Sequence, residues 1–195
     1  MLSKTIRYSL LFLLISTLMA YDMPKGWVAS SYRPNEYEMG IAEGAGENGK
    51  NAATIRSVRP DVVGYGRLMQ TFSSEKYKGK RLKLTGYLRT KKVDKWAGLV
   101  MRVMGKTTNP VTGKEHKKLL SFDNMYSRFV SGTNDYTKYE IVLDIPDSAT
   151  DIEYGARLTG PGQIWFDQLS FEVVGKDVPL TSAELQEPTN LDFDK

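Results

Sequence analysis

Arg81-Leu82-Lys83-Leu84-Thr85-Gly86-Tyr87-Leu88-Arg89-Thr90 is the stretch that decides the fold. Successive side chains of an extended chain point to opposite faces, so Leu82, Leu84, Gly86 and Leu88 share one side, and Lys83, Thr85, Tyr87 and Arg89 the other. A greasy side opposed to a polar side describes a strand with one face in a core. The run from Trp96 to Val103 repeats the pattern: Ala97, Leu99, Met101 and Val103 face inward, and Trp96, Gly98, Val100 and Arg102 face the other way. Outward from these runs, apolar and β-branched residues recur in short segments broken by Gly, Pro, Asn and Asp, and none holds a helical period. Strands are expected over Trp27 to Tyr32, Tyr37 to Ile41, Ala52 to Val58, Gly66 to Phe72, Arg81 to Thr90 and Ala97 to Met104. Further strands are expected over Lys117 to Phe122, Lys138 to Ile145, Ile152 to Thr159 and Gln163 to Val174. So many short strands joined by turns suit an all-β chain, a two-sheet antiparallel β-sandwich of jelly-roll type. Thr107 to Gly113, with Asn109-Pro110 and Gly113 as turn formers, reads as a long hairpin tip. In the last strand the alternation slips by one at Asp167-Gln168, where a bulge fits.

The first twenty residues read as a signal peptide, with Lys4 and Arg7 as a positive start, Leu10 to Ile15 as an apolar run and Ala20 as a small residue for cleavage. That run is shorter than the ~20 residues a membrane-spanning helix needs, so no stable span is expected after cleavage. Residues 21–175 then form the sandwich and 176–195 a polar tail, too poor in apolar residues to form a core of its own. An exported chain, secreted or periplasmic, enters an oxidising space, yet the sequence has no cysteine, so stability rests on the core. Net charge is only +4, but Lys76 to Lys118 carries fourteen Lys or Arg against Asp94 and Glu115. Those cations read either as solvated strand faces and hairpin tips or as a positive field for an anionic partner such as an acidic polysaccharide. Nucleic acid is not expected as a partner, since the leader directs the chain away from it.

Several segments together resemble the jelly-roll carbohydrate-binding modules and the wider galactose-binding-like β-sandwiches of extracytoplasmic bacterial proteins. They are Asn48 to Ala53, Tyr77 to Leu82, Tyr136 to Pro146, and the Gly-x-aromatic-x-Asp-x-hydrophobic pattern within Gly162 to Phe171. Trp96 to Val103 and Phe122-Asp123-Asn124-Met125 look closest to sandwiches found alone or attached to enzymes and regulators. The likeness covers residues 26–174 and implies a fold rather than a ligand. One departure stands out: these modules begin with a strand reading Asn-x-x-Phe-Glu before a Gly-Trp, whereas here Gly26-Trp27 follows the leader almost directly. A similar string, Asn190 to Asp194, sits at the C-terminus, and is expected either to add a strand to its own sheet or a neighbouring protein's, or to be a leftover linker.

The resemblance implies a concave outer face, on which Gln70, Tyr87, Arg89, Trp96, Arg102 and Arg157 would gather as ligand-binding residues. Aromatic rings offer flat apolar faces to sugar C–H groups, and Arg and Gln donate to hydroxyls or carboxylates. The same rings and Arg stems also suit plain cover for a sheet's second face. Asp123 and Asn124 are read either as rim contacts for that ligand or as a turn held by side-chain-to-backbone bonds. Asp167 resembles the aspartate that helps hold a structural calcium ion in related modules, with Asp194 as its candidate acidic partner; otherwise it bonds backbone amides. His116 is the only histidine, on a polar hairpin shoulder, so a thiol nucleophile and a multi-histidine zinc site are excluded and no catalytic residue is assigned. Glu140, Asp144 and Asp167 fall where exposed strand positions are expected rather than in a glycosidase pair. A non-catalytic binding module for a glycan or other polar or anionic ligand follows, with a partner-binding protein that uses its tail strand, or a polysaccharide lyase, as alternatives.

Overall fold

The computed structural model describes residues 21–182, in which nine strands and two single-turn 3-10 helices make up the regular structure. The strands are β1 (Trp27–Ser31), β2 (Tyr37–Ala42), β3 (Ala52–Ser57), β4 (Tyr65–Ser73), β5 (Arg81–Thr108), β6 (Glu115–Asp123), β7 (Val130–Asp144), β8 (Ala149–Thr159) and β9 (Gln163–Val174). All pair antiparallel. The leader and the Asn190 to Asp194 string lie outside the described residues. Among the described residues no helix is long and apolar enough to cross a membrane.

β5 organises the sandwich. Its first part, Arg81 to Lys91, runs between β7 and β9 in a back sheet of order β2-β3-β9-β5-β7. Its second part, Trp96 to Thr108, runs between β8 and β6 in a front sheet of order β1-β4-β8-β5-β6. The expected strands over Arg81 to Thr90 and Ala97 to Met104 are therefore one strand of 28 residues. The polar segment between them is a corner rather than a break: Val93 is buried in the core, Lys92 takes a left-handed φ of 51°, and the Lys92 N–H donates to Thr133 Oγ1. Register shifts at Leu88/Thr90, Thr90/Val93 and Val93/Ala97 absorb the turn. β7 likewise starts at Val130, well before the expected Lys138, because Gly132 and Asn134 pair across that corner.

The core lies between the two sheets. Leu82, Leu84 and Leu88 are 0–1% exposed and face Leu99, Met101 and Leu158 of the front sheet in one apolar cluster. Full burial of each such side chain contributes about 1.5–3 kcal/mol. Gly86 is required by this packing, since a Cβ there would lie 2.5 Å from Leu169 Cδ2. The expected bulge in β9 is present: Gln168 is left-handed at φ 52°, and two β9 residues, Gln168 and Leu169, stand against the single Gly86 of β5 between Thr85 and Tyr87. Past it, Leu169 and Phe171 turn to the core. An edge-to-face cluster closes one open side, with Tyr154 against Trp27, Phe72 and Phe171 at centroid distances of 4.8–5.6 Å.

The first residues of the polar tail, from 176 to Thr181, are captured by the sandwich. Arg81 donates to the carbonyls of Lys176 and Val178 at 2.8 and 2.6 Å. Thr181 brackets Val142 of edge strand β7, donating its N–H to the Val142 carbonyl at 3.1 Å and accepting the Val142 N–H on Oγ1 at 2.8 Å.

Candidate functional site

The outer face of the front sheet is built by alternation against the core. Leu68 on β4 and Ala156 and Leu158 on β8 point inward, so Tyr65, Arg67, Arg157 and Thr159 point outward. The register then sets Arg67 directly opposite Arg157, and Thr159 opposite both Tyr65 and Trp96. The Arg157 guanidinium lies 3.9 Å from the Tyr65 ring centroid and 4.9 Å from that of Trp96, while Arg67 lies 5.0 Å from Tyr65. Arg157 Nε donates to Thr159 Oγ1 at 3.1 Å. Burial lowers the pKa of Arg157; the Tyr65 ring opposes that change and the neighbouring Arg67 cation adds to it.

One row further along, Arg102 donates to Glu153 at 3.1 Å and Lys117 donates to the other Glu153 oxygen at 3.2 Å. Between these rows is a hollow of about 170 Å³ lined by Arg67, Arg157, Arg102, Val100, Phe122 and Asn124. Gly155, in register with Val100, has φ 155°, and a Cβ there would fall 2.1 Å from the Leu68 carbonyl oxygen, so the close approach of β8 to β4 depends on this glycine. The rim comes from the β6–β7 connection. Met125 is fully buried with φ 60°, its Sδ accepting the Leu99 N–H at 3.2 Å, and this fixes Asn124 and Tyr126 on either side. Asn124 Oδ1 accepts the Tyr126 N–H at 3.0 Å, leaving its amide nitrogen without a protein acceptor among the described residues. The Tyr126 ring meets the Trp96 edge at 5.8 Å and is itself 67% exposed.

Of the residues expected to form one site, Trp96, Arg102, Asn124 and Arg157 share this face. Trp96 is not an open platform, however: it is 9% exposed, covered by Arg157 and Tyr126, so the accessible aromatic surface belongs to Phe122 and Tyr126. Tyr87 and Arg89 lie on the opposite face of the sandwich, because the first part of β5 belongs to the back sheet and only the part from Trp96 onward to the front sheet. There Arg89 stacks 4.1 Å from Trp165 and 5.1 Å from Tyr136 as a cover for the back sheet. Gln70 shares the parity of Leu68 and turns into the sandwich, where it accepts the Tyr154 hydroxyl. Asp123 is a turn holder rather than a rim contact: it is buried, with Oδ1 taking the Met125 N–H at 2.7 Å and both oxygens bound by Arg128.

Asp167 Oδ1 accepts the Gln168 N–H at the bulge, at 2.7 Å. Its Oδ2 and the carbonyl oxygens of Lys50 and Asn51 crowd the Cα of Gly46, where a Cβ would meet all three within 2.7–3.1 Å. Oxygen donors of that kind suit calcium. Among the described residues no group of three or more His, Cys, Asp or Glu side chains converges, Asp194 lies outside them, and the Lys50 carbonyl already accepts the Gly46 N–H at 2.7 Å. Glu140 and Asp144 are held below the usual carboxylate range by hydrogen bonds from Lys138 and Arg81 respectively, the reverse of what a general acid needs.

Tyr65, Arg67, Phe122 and Tyr126 escaped the sequence reading. The parity of Leu68 marks Tyr65 and Arg67 as outward, so those two were legible. Tyr126 sits in a 3-10 turn, which has no periodicity to read.

No family model matches the chain. Over 177 residues it is 38% identical to the uncharacterized HTH-type transcriptional regulator YbfP of Bacillus subtilis (strain 168), covering 88% of this chain and 57% of that protein. The chain thus spans little more than half the length of that relative. Among solved structures it superposes on a xylan-binding domain from CBM 22 with a TM-score of 0.51 at 12% identity, covering 78% of this chain and 89% of that domain. It also superposes on part of the enzymatically active domain of tailspike protein 4 from bacteriophage CBA120, with a TM-score of 0.51 at 12% identity, covering 77% of this chain and 20% of that one. The strand order, the packed core between two antiparallel sheets and these superpositions agree: the chain has the β-sandwich fold of the carbohydrate-binding modules.

Proposed function

We propose that this chain is a non-catalytic binding module that takes a glycan on the outer face of its front sheet. The observation that carries the reading is the hollow between β4, β8, β5 and β6, where the exposed Phe122 ring stands beside donors of Arg67, Arg157 and Asn124, and past Phe122 and Asn124 an adjoining hollow is lined by the exposed Tyr126 ring. Rings that accept sugar C–H faces, set beside fixed polar donors, are what an oligosaccharide site requires. The fold is shared with a xylan-binding domain, which supports the reading without naming this chain's sugar. The leader supports export, and mass analysis of the mature N-terminus for cleavage after Ala20 tests that part. Affinity electrophoresis against neutral and acidic polysaccharides tests the site: retardation should weaken in Tyr126→Ala and Asn124→Ala and persist in Tyr87→Ala. Retardation lost through Tyr87 but kept without Tyr126 would move the site to the back sheet.

The similarity to a longer protein named as a transcriptional regulator favours a second use of the same site, in sensing. The described residues contain no α-helix, and a helix-turn-helix needs two. A sensing role would therefore be confined to ligand capture, with the DNA contact supplied elsewhere.

A further inference from the structure

The charges of the front face do not balance. Arg102 and Lys117 share Glu153, and Lys106 is paired with Glu115. Arg67 and Arg157 stand opposite each other on adjacent strands, and neither has a carboxylate partner among the described residues. Glu153, the acid nearest in register, has one oxygen committed to Arg102 and the other to Lys117. Arg67 Nε is buried with no hydrogen-bond partner, as is Arg89 Nε on the back sheet, but Arg89 stands opposite Trp165 whereas Arg67 has a second arginine opposite it. Two half-buried like charges repel, and a buried donor without an acceptor costs stability, so a native chain keeps such a pair where something completes it. The Tyr65 ring holds both guanidiniums in place yet supplies no countercharge.

We propose that Arg67 and Arg157 form a carboxylate subsite, which makes an acidic glycan, one bearing uronic acid residues, the ligand class of this face. Guanidinium forks match the two oxygens of a carboxylate, and neutral hydroxyls would satisfy the donors without offsetting the charge. The hollow, at about 170 Å³, is smaller than the roughly 300–1,000 Å³ of pockets that enclose a whole ligand. It seats one acidic group or ring while the rest of the chain runs over Phe122 and Tyr126. This inference rests on the glycan reading above and narrows it.

Calorimetric titration with short uronic acid oligosaccharides, and with the same oligosaccharides after carboxyl reduction, separates the two claims. The acidic form should bind about tenfold or more tighter, and Arg67→Gln and Arg157→Gln should each weaken the acidic form about tenfold more than the reduced form, the size of one charge-assisted hydrogen bond. Arg157 also clasps Trp96, so Arg67→Gln, whose guanidinium touches only Tyr65 among the rings, is the variant to rely on if Arg157→Gln folds poorly. Equal binding of the acidic and reduced forms would overturn the carboxylate subsite and leave the glycan reading standing. Tighter binding of sulfated oligosaccharides, or acidic binding indifferent to both arginines, would also overturn it. Failure of every glycan, acidic or neutral, removes both claims.

Discussion

Met125 should be the residue on which the rim of the front face depends. Its side chain is fully buried at 0% exposure, its backbone is left-handed at φ 60°, and its sulfur accepts the Leu99 N–H at 3.2 Å. Met125→Ala removes the buried thioether, a change that costs about 2–5 kcal/mol in cores. It also strips the acceptor from a buried N–H, a loss of about 1–3 kcal/mol unless water enters the space. Together these come to roughly 3–8 kcal/mol, with a melting temperature lowered by about 2–4 °C for each kcal/mol in a domain of this size. Met125→Leu nearly conserves volume, which by itself costs under about 1.5 kcal/mol, and isolates the sulfur acceptor. Urea unfolding followed by tryptophan fluorescence measures both variants. The reasoning is refuted if Met125→Ala loses less than about 1 kcal/mol, well below the usual cavity cost, and the sulfur's role is refuted if Met125→Leu matches the parent protein.

Three further outcomes follow from other parts of the chain. Gly155→Ala sets a Cβ 2.1 Å from the Leu68 carbonyl oxygen, so it should destabilise by about 3 kcal/mol or more; an unchanged melting temperature would show that β4 yields without cost. Arg81 depresses the Asp144 pKa, so this carboxylate stabilises the fold above its ordinary value of 3.8, and the benefit is lost as pH falls through its lower folded value. The gap in melting temperature between the parent and Asp144→Asn should therefore close on acidification, and a gap that persists at the acid limit would deny the linkage. Burial, seconded in Tyr37 by Glu36, pushes Tyr37 and Tyr136 up to about 12, so their contribution is complete below the unfolded value of 10 and lost as pH rises through about 12. Burial also raises Tyr139 and Tyr154, so absorbance near 295 nm should show a group of late-ionising phenols, with one fewer in Tyr37→Phe.

Period-two alternation carried most of the architecture, because in a two-layer protein every strand shows its core side in its own sequence. Leu82, Leu84 and Leu88 lie in the core as their spacing requires, and the β9 bulge announced itself at Asp167-Gln168. The site was less legible for two physical reasons. Tyr87 and Trp96 both point outward, but the corner at Thr90 to Ala97 exchanges layers between them, and an outward parity says nothing about which outside it faces. The Arg67 and Arg157 pairing is set by the long-range register of β4 on β8, which no local pattern encodes. Gln70 was a different kind of error, since its parity with buried Leu68 already pointed it inward.

The passage of β5 from one layer into the other has a consequence for how the molecule comes apart. A ribbon stitched into both leaflets means that neither can peel away without tearing the ladder of its neighbour, so the ladder amides of β5 in both layers should exchange with solvent through a single shared opening event. Exchange of a leaflet with another copy would have to unpick that seam first.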